Sequence, residues 1–127
     1  MSGIKFLLDT NFILGLLKRD KRVMEMIADR NISSDCCGLS AITRMELLGF
    51  PDITPQEEQL IKERLTELRY VPLTREIENI VITLRRVRRI KLPDAIIAGT
   101  AYFLGAELLT LDRQLLSAAS NLDEILG

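Results

Sequence analysis

The chain contains no histidine. That absence removes imidazole acid–base catalysis, the Ser-His-Asp triad and the usual nitrogen ligands for zinc. Only two cysteines are present, Cys36 and Cys37, and they are adjacent. This spacing suits neither a disulfide framework nor a zinc ligand set, and both are expected to be buried strand residues. No apolar run approaches the ~20 residues that a membrane span needs. The stretch from Ile4 to Leu8 meets Asp9 at once, with no longer hydrophobic region and no small-residue cleavage site, so a cytoplasmic protein without membrane association is expected. Formal net charge is only −1, which excludes a generic polycation and leaves any nucleic-acid binding to local patches. Catalysis must then run on carboxylates, hydroxyls, lysine or metal.

At 127 residues, 47% of them hydrophobic, the chain is long enough to bury one core without covalent support, and a single domain over 1–127 is expected. Ile4 to Leu8 reads as a buried strand running into a helix whose inner stripe is Phe12, Ile13, Leu16 and Leu17. Val23, Met24 and Ile27 continue a second helix, and a short strand is expected around the cysteines. Ser40 then caps a helix running toward Gly49. Thr54-Pro55-Gln56-Glu57 is a capping box with proline at the first helical position, opening a helix that presents Ile61, Leu65 and Leu68. Tyr70 to Leu73 predicts a strand, and Thr74 caps a helix with Ile77, Ile80, Val81, Leu84 and Val87 at helical spacing, a stripe suited to the core or to a dimer face. Leu92-Pro93-Asp94 opens a helix that Gly105 ends, Glu107 to Leu111 predicts the last strand, and a closing helix and apolar tail follow. Alternation of strand and helix implies an α/β fold with a parallel sheet flanked by helices, whose sites form outside the carboxyl ends of the strands.

Four acids stand out by position. Asp9 and Asp112 each follow an apolar strand segment, Glu46 lies inside the largely apolar helix Ala41 to Leu48, and Asp94 opens another helix. Each has a plainer reading: Asp9 and Asp94 as helix N-caps, Glu46 as a solvated helix face. Capping accounts for Asp9 but not for the recurrence of the same strand-end arrangement at Asp112. Together, four acids meeting at one sheet edge would repel one another unless a cation neutralised them. Hard oxygen ligands without histidine or a usable thiolate select Mg²⁺ or Mn²⁺, ions that act on phosphates by activating water and stabilising oxyanions.

The strings Leu7-Leu8-Asp9-Thr10-Asn11, Ser40 followed by Met45-Glu46-Leu47-Leu48, Lys91-Leu92-Pro93-Asp94-Ala95-Ile96-Ile97-Ala98 and Leu109-Thr110-Leu111-Asp112 resemble, in this order, the motifs of the PIN-domain ribonucleases, in particular the VapC toxins of VapBC toxin-antitoxin pairs. The resemblance spans essentially the whole chain. It implies a PIN-like three-layer fold, Mg²⁺- or Mn²⁺-dependent cleavage of RNA, and inhibition by a small antitoxin protein. Carried over by position, Asp9, Glu46, Asp94 and Asp112 match the acidic quartet that holds the metal and activates water, and Asn11, Ser40 and Thr110 match supporting polar positions. There is one departure: Leu115 stands where the family often carries an aromatic. With Leu126 so near the end, the family's last strand is expected to be short or missing, and a fifth acidic position is not assigned.

Arg85, Arg86, Arg88, Arg89 and Lys91 place five cations in one stretch leading to Asp94. They suit RNA phosphates, or simply a solvated helix end whose charges complement the C-terminal dipole. A homodimer is the expected assembly. Haloacid-dehalogenase-like phosphatases need a second Asp where this chain has Asn11, and a receiver domain needs neighbouring acids after its first strand. The serious alternative is non-catalytic, a PIN-like fold kept as an RNA- or protein-binding module.

Overall fold

The computed structural model describes residues 3–127. Strand β1 (Phe6–Leu8) is central in a four-stranded sheet of order β3-β2-β1-β4, in which β2 is Cys37–Ser40, β3 is Arg69–Val71 and β4 is Glu107–Leu109. All pairings are parallel, with Leu7 opposite Gly38 on one side and Leu108 on the other, and Ser40 opposite Val71. Parallel strands end at one edge, so Asp9 after β1, Ser40 closing β2 and Thr110 after β4 arrive at the same rim.

Alternation along the strands divides the core. Leu8, Leu39 and Leu109 face a cluster with Phe12, Ile13, Val23, Leu47 and Ile61, whereas Leu7 and Leu108 pack on Ile97, Ala101 and Leu115. The first face is covered by α1 (Thr10–Leu17), α2 (Lys21–Asp29), α3 (Ala41–Leu48) and α4 (Pro55–Leu65). Gly15 lets α1 and α2 meet: a Cβ there would stand 2.6 Å from Val23 Cγ2. The other face carries α5 (Arg75–Val87), α6 (Leu92–Leu104), α7 (Arg113–Ala118) and α8 (Leu122–Leu126), with Ile77, Val81 and Leu84 buried against Ala95, Ile96 and Ala98. Both sheet faces are therefore covered, as an apolar parallel sheet requires.

Local signals act as expected at most helix ends. Thr54 and Glu57 complete their capping box, and Gly105, at φ 65°, ends α6 in the left-handed conformation that a side chain disfavours. Several boundaries differ from the sequence reading. Cys36 lies in a 3-10 turn (Ser34–Cys36) and is half-buried; only Cys37 is a buried strand residue. Strand β3 runs Arg69–Val71 rather than Tyr70 to Leu73, since an edge strand pairs on one side only and its register follows β2. β4 stops at Leu109, where Thr110 turns toward Asp9. Val87, at the last turn of α5, is 59% exposed rather than part of the core face. No helix among the described residues is long and apolar enough to cross a membrane.

Candidate functional site

Asp9 sits at the tip of β1 with only 4% of its surface exposed, and its backbone N–H donates to Leu109 O of the neighbouring strand. It is the N-cap of α1: Oδ1 accepts from the Phe12 N–H at 2.8 Å, while Oδ2 accepts from the Thr110 hydroxyl at 2.5 Å. The same Thr110 oxygen accepts the Asp112 N–H at 3.0 Å. Asp112 in turn caps α7, its Oδ1 accepting from Gln114 and Leu115 N–H groups. One buried hydroxyl thus ties the ends of two adjacent strands and fixes where both carboxylates stand.

Asp94 is different. It lies within the first turn of α6, whose N-cap is Lys91 with no side-chain cap hydrogen bond, so the capping explanation fails for this residue. Its carboxylate makes no hydrogen bond or ion pair to any described residue. Burial pushes its pKa up, repulsion from Asp112 and Glu46 adds to the rise, and Lys91 partly opposes it. Asp9 is also raised, first by burial; the Thr110 and Phe12 hydrogen bonds counter this, and Asp112 and Asp94 repel it further. Asp9, Asp94 and Asp112 therefore share one electrostatic neighbourhood, and Glu46 joins it through Asp94. Among the described residues no three acidic or cysteine side chains close into a compact cage, so the carboxylates are neighbours in charge rather than a ready-made coordination shell.

Glu46 projects from exposed surface on α3, and its Oε1 accepts from the Thr10 hydroxyl at 2.5 Å. Thr10 also lies 3.3 Å from the hydroxyl of Thr43, a fully buried residue that contacts Ser40 Oγ at 3.3 Å. Ser40 caps α3 by accepting the Thr43 N–H. A chain of hydroxyls accordingly joins the end of β2 to Glu46. Ser40 belongs to this chain, and Thr110 belongs to the Asp9 clamp. Asn11 is exposed on α1, and its side chain makes no hydrogen bond to a described residue. Thr10 and Thr43 escaped the sequence reading; the available signals were the position of Thr10 beside Asp9 and the placement of Thr43 one helical turn before Glu46.

The basic stretch is split by the structure. Arg85 Nε donates to Ile90 O, and Arg88 Nη1 donates to both Ala118 O and Ser120 O at 2.6 Å, so Arg88 staples the end of α7. Arg86, Arg89 and Lys91 remain exposed. For the clamp, Thr110→Val should cost about 1.5–3 kcal/mol of stability by chemical denaturation, the range for a hydrogen bond to a charged group. Thr110→Ser, which keeps the hydroxyl, should recover most of the loss. Equal stability of the Val variant and the parent would mean that the clamp contributes nothing.

A family model described as the PIN domain matches residues 6–121. Among solved structures, the chain resembles a toxin-antitoxin complex from Klebsiella pneumoniae at 27% identity, with 85% of this chain and 87% of that chain covered and a TM-score of 0.73. It resembles FitAcB from Neisseria gonorrhoeae at 28% identity, with coverage of 90% and 92% and a TM-score of 0.72. VapBC-1 from nontypeable Haemophilus influenzae matches at 25% identity, with coverage of 93% and 94% and a TM-score of 0.73. No curated protein sequence matches the chain.

Proposed function

Because the chain belongs to the PIN domain family, we propose that it is a single-domain, Mg²⁺- or Mn²⁺-dependent endoribonuclease and the toxin of a toxin-antitoxin pair. The observation that carries this reading is the gathering of Asp9, Asp94 and Asp112 at the carboxyl edge of the sheet, with Glu46 near Asp94, where burial and then the neighbouring acids raise the Asp9 and Asp94 pKa values. Such a grouping costs stability unless a cation or a polar ligand offsets it. The donor set fits a hard divalent ion, since every candidate ligand is a carboxylate oxygen and the chain has no histidine. Asp9 and Asp112 each give one oxygen to backbone N–H groups, and a carboxylate has lone pairs beyond those. Asp94, without a hydrogen-bond partner among the described residues, is the most available of the four. When bound, the ion would supply an acidified water and positive charge for the oxyanions of a phosphodiester.

The chain's own residues would hold this arrangement in place. Thr110 sets the spacing of Asp9 and Asp112, Thr10 with Thr43 and Ser40 directs Glu46, and the α6 backbone presents Asp94. For the partner we infer a small antitoxin whose tail places an Arg or Lys among the four carboxylates. Its apolar part would rest on the nearby helices. A second copy of the chain is the other expected partner.

The test is cleavage of a fluorescent single-stranded RNA by the purified chain. Cleavage with Mg²⁺ or Mn²⁺, loss in EDTA and return on adding either ion are expected. Cleavage that persists after chelation and dialysis overturns the metal-dependent reading. RNA binding without any cleavage points to the binding-module alternative.

A further inference from the structure

The basic stretch looks continuous in sequence, yet the fold disperses it and recruits a cation from elsewhere. Helix α5 ends at Val87, and at Arg88 the backbone becomes extended (φ −124°, ψ 146°). Arg88 turns onto the carbonyls of Ala118 and Ser120, at the end of α7 where backbone oxygens lack helical partners and favour a cation. Its charge is used there. The staple also draws α7 against the segment that carries Arg89.

Arg113, the first residue of α7, thereby shares one depression of about 650 Å³ with Arg88, Arg89, Gln114 and Ser117. No carboxylate lines it. Arg89 and Arg113 are exposed, and neither makes an ion pair or hydrogen bond to a described residue. Exposed cations without an ion pair to a described residue also occur at Arg19, Arg44 and Arg86, so what sets Arg89 and Arg113 apart is the depression they share, which no carboxylate lines. Two guanidiniums facing one depression beside a third cation repel each other, which an anion would relieve. Their position restricts which anion. Arg113 follows Asp112 directly, and Lys91, just beyond Arg89, acts on Asp94. The positive wall begins where the acidic centre ends, an arrangement that suits a ligand carrying phosphates along a chain past that centre.

We propose that Arg89 and Arg113 bind the phosphodiester backbone of the single-stranded substrate on the α7 side of the acidic centre, with Arg88 as the positioning residue that assembles the surface. This rests on the nuclease reading above. Guanidiniums take phosphate oxygens through paired N–H donors, which gives grip and register without base preference.

The test compares the parent chain, the double variant Arg89→Gln with Arg113→Gln, and a charge-matched control, Lys21→Gln with Lys62→Gln, on α2 and α4. Binding of a fluorescent 12-nucleotide RNA and of a DNA of the same sequence is measured across a salt series in EDTA, and RNA cleavage is measured separately with Mg²⁺. The double variant should bind RNA about tenfold or more weakly, and its slope of log K against log salt should fall by about 1.4, the value for two released phosphate contacts on a single strand. KM should rise with kcat within about twofold, and the control should match the parent. An unchanged slope and KM in the double variant overturn the proposal, as does arginine dependence confined to the DNA. A parent chain that binds RNA through these arginines but never cleaves it leaves this binding surface standing and overturns the nuclease reading instead.

Discussion

Asp94→Asn and Asp9→Asn are each expected to lower RNA cleavage by roughly a hundred- to a thousandfold, the size of loss seen when one group aimed at developing charge is removed. Asp94→Asn should not lower the melting temperature in chelator at neutral pH, whereas Asp9→Asn turns one accepting oxygen into an amide N–H and should lose part of what the Thr110 clamp contributes. Both carboxyls have raised pKa values, chiefly through burial and then through the neighbouring acids. A carboxyl with a higher pKa in the folded chain than in the unfolded one binds more protons when folded. Its contribution is fully present below the unfolded value and is lost as pH rises through the folded value. Stability in EDTA should thus decline from this source as pH climbs out of the acid range, and each Asn variant should lose its share of the decline. Asn also caps helices nearly as well as Asp, so the Phe12 N–H keeps an acceptor. Thermal melts at pH 4.5 and 8 with cleavage assays check both halves. An Asp94→Asn chain that melts several degrees lower at pH 8 would show that this carboxylate holds the fold rather than straining it. Expressed in a bacterium, the parent should arrest growth and Asp94→Asn should not.

Phe12→Ala should be the most destabilising single change near the site, at about 3–5 kcal/mol. Phe12 is completely buried among Leu8, Ile13, Val23 and Leu47, and its own N–H holds Asp9. Alanine keeps the backbone donor, so the loss reports apolar packing between α1 and the sheet rather than capping. The melting temperature should fall by about 10 °C or more. Cleavage well below that temperature should stay within a few-fold of the parent, because the Asp9 clamp to Thr110 does not involve the ring. A cost below about 1 kcal/mol would show that this cluster collapses around the gap. A collapse of kcat in a chain that is still folded would show that the ring orients Asp9.

The placement of Asp9 illustrates what was legible in advance. An apolar triplet that stops at Asp-Thr-Asn has a simple local meaning, a buried strand ending on a helix cap, and both strand and cap are present. Period-two and period-3.6 patterns, the capping box at Thr54 and the glycine at 105 are local devices, and they set most elements to within a few residues. Asp94 shows the limit. From its neighbours it reads as a cap, and the structure makes it a first-turn residue whose pKa is raised first by burial and then by acids from the start of α7 and from α3. Cys36 shows another: a one-residue difference between turn and strand depends on where β2 finds its register with β1.

The sequence alone determined the alternation of strands and helices, the parallel sheet it implies, the exclusion of histidine chemistry and the four acids in their order along the chain. These follow from local conformational preference and residue chemistry, which need no knowledge of distant contacts. Only the tertiary structure decided that Thr110 clamps Asp9 and Asp112, that Thr10 and Thr43 lead to Glu46, that Arg88 is bound to carbonyl oxygens, and that Arg113 replaces it beside Arg89. Each of these joins residues from different elements. The physical reason is that hydrogen bonding and charge act through distance in space, and the packing of α7 against the α5–α6 connection and of α3 against α1 sets those distances.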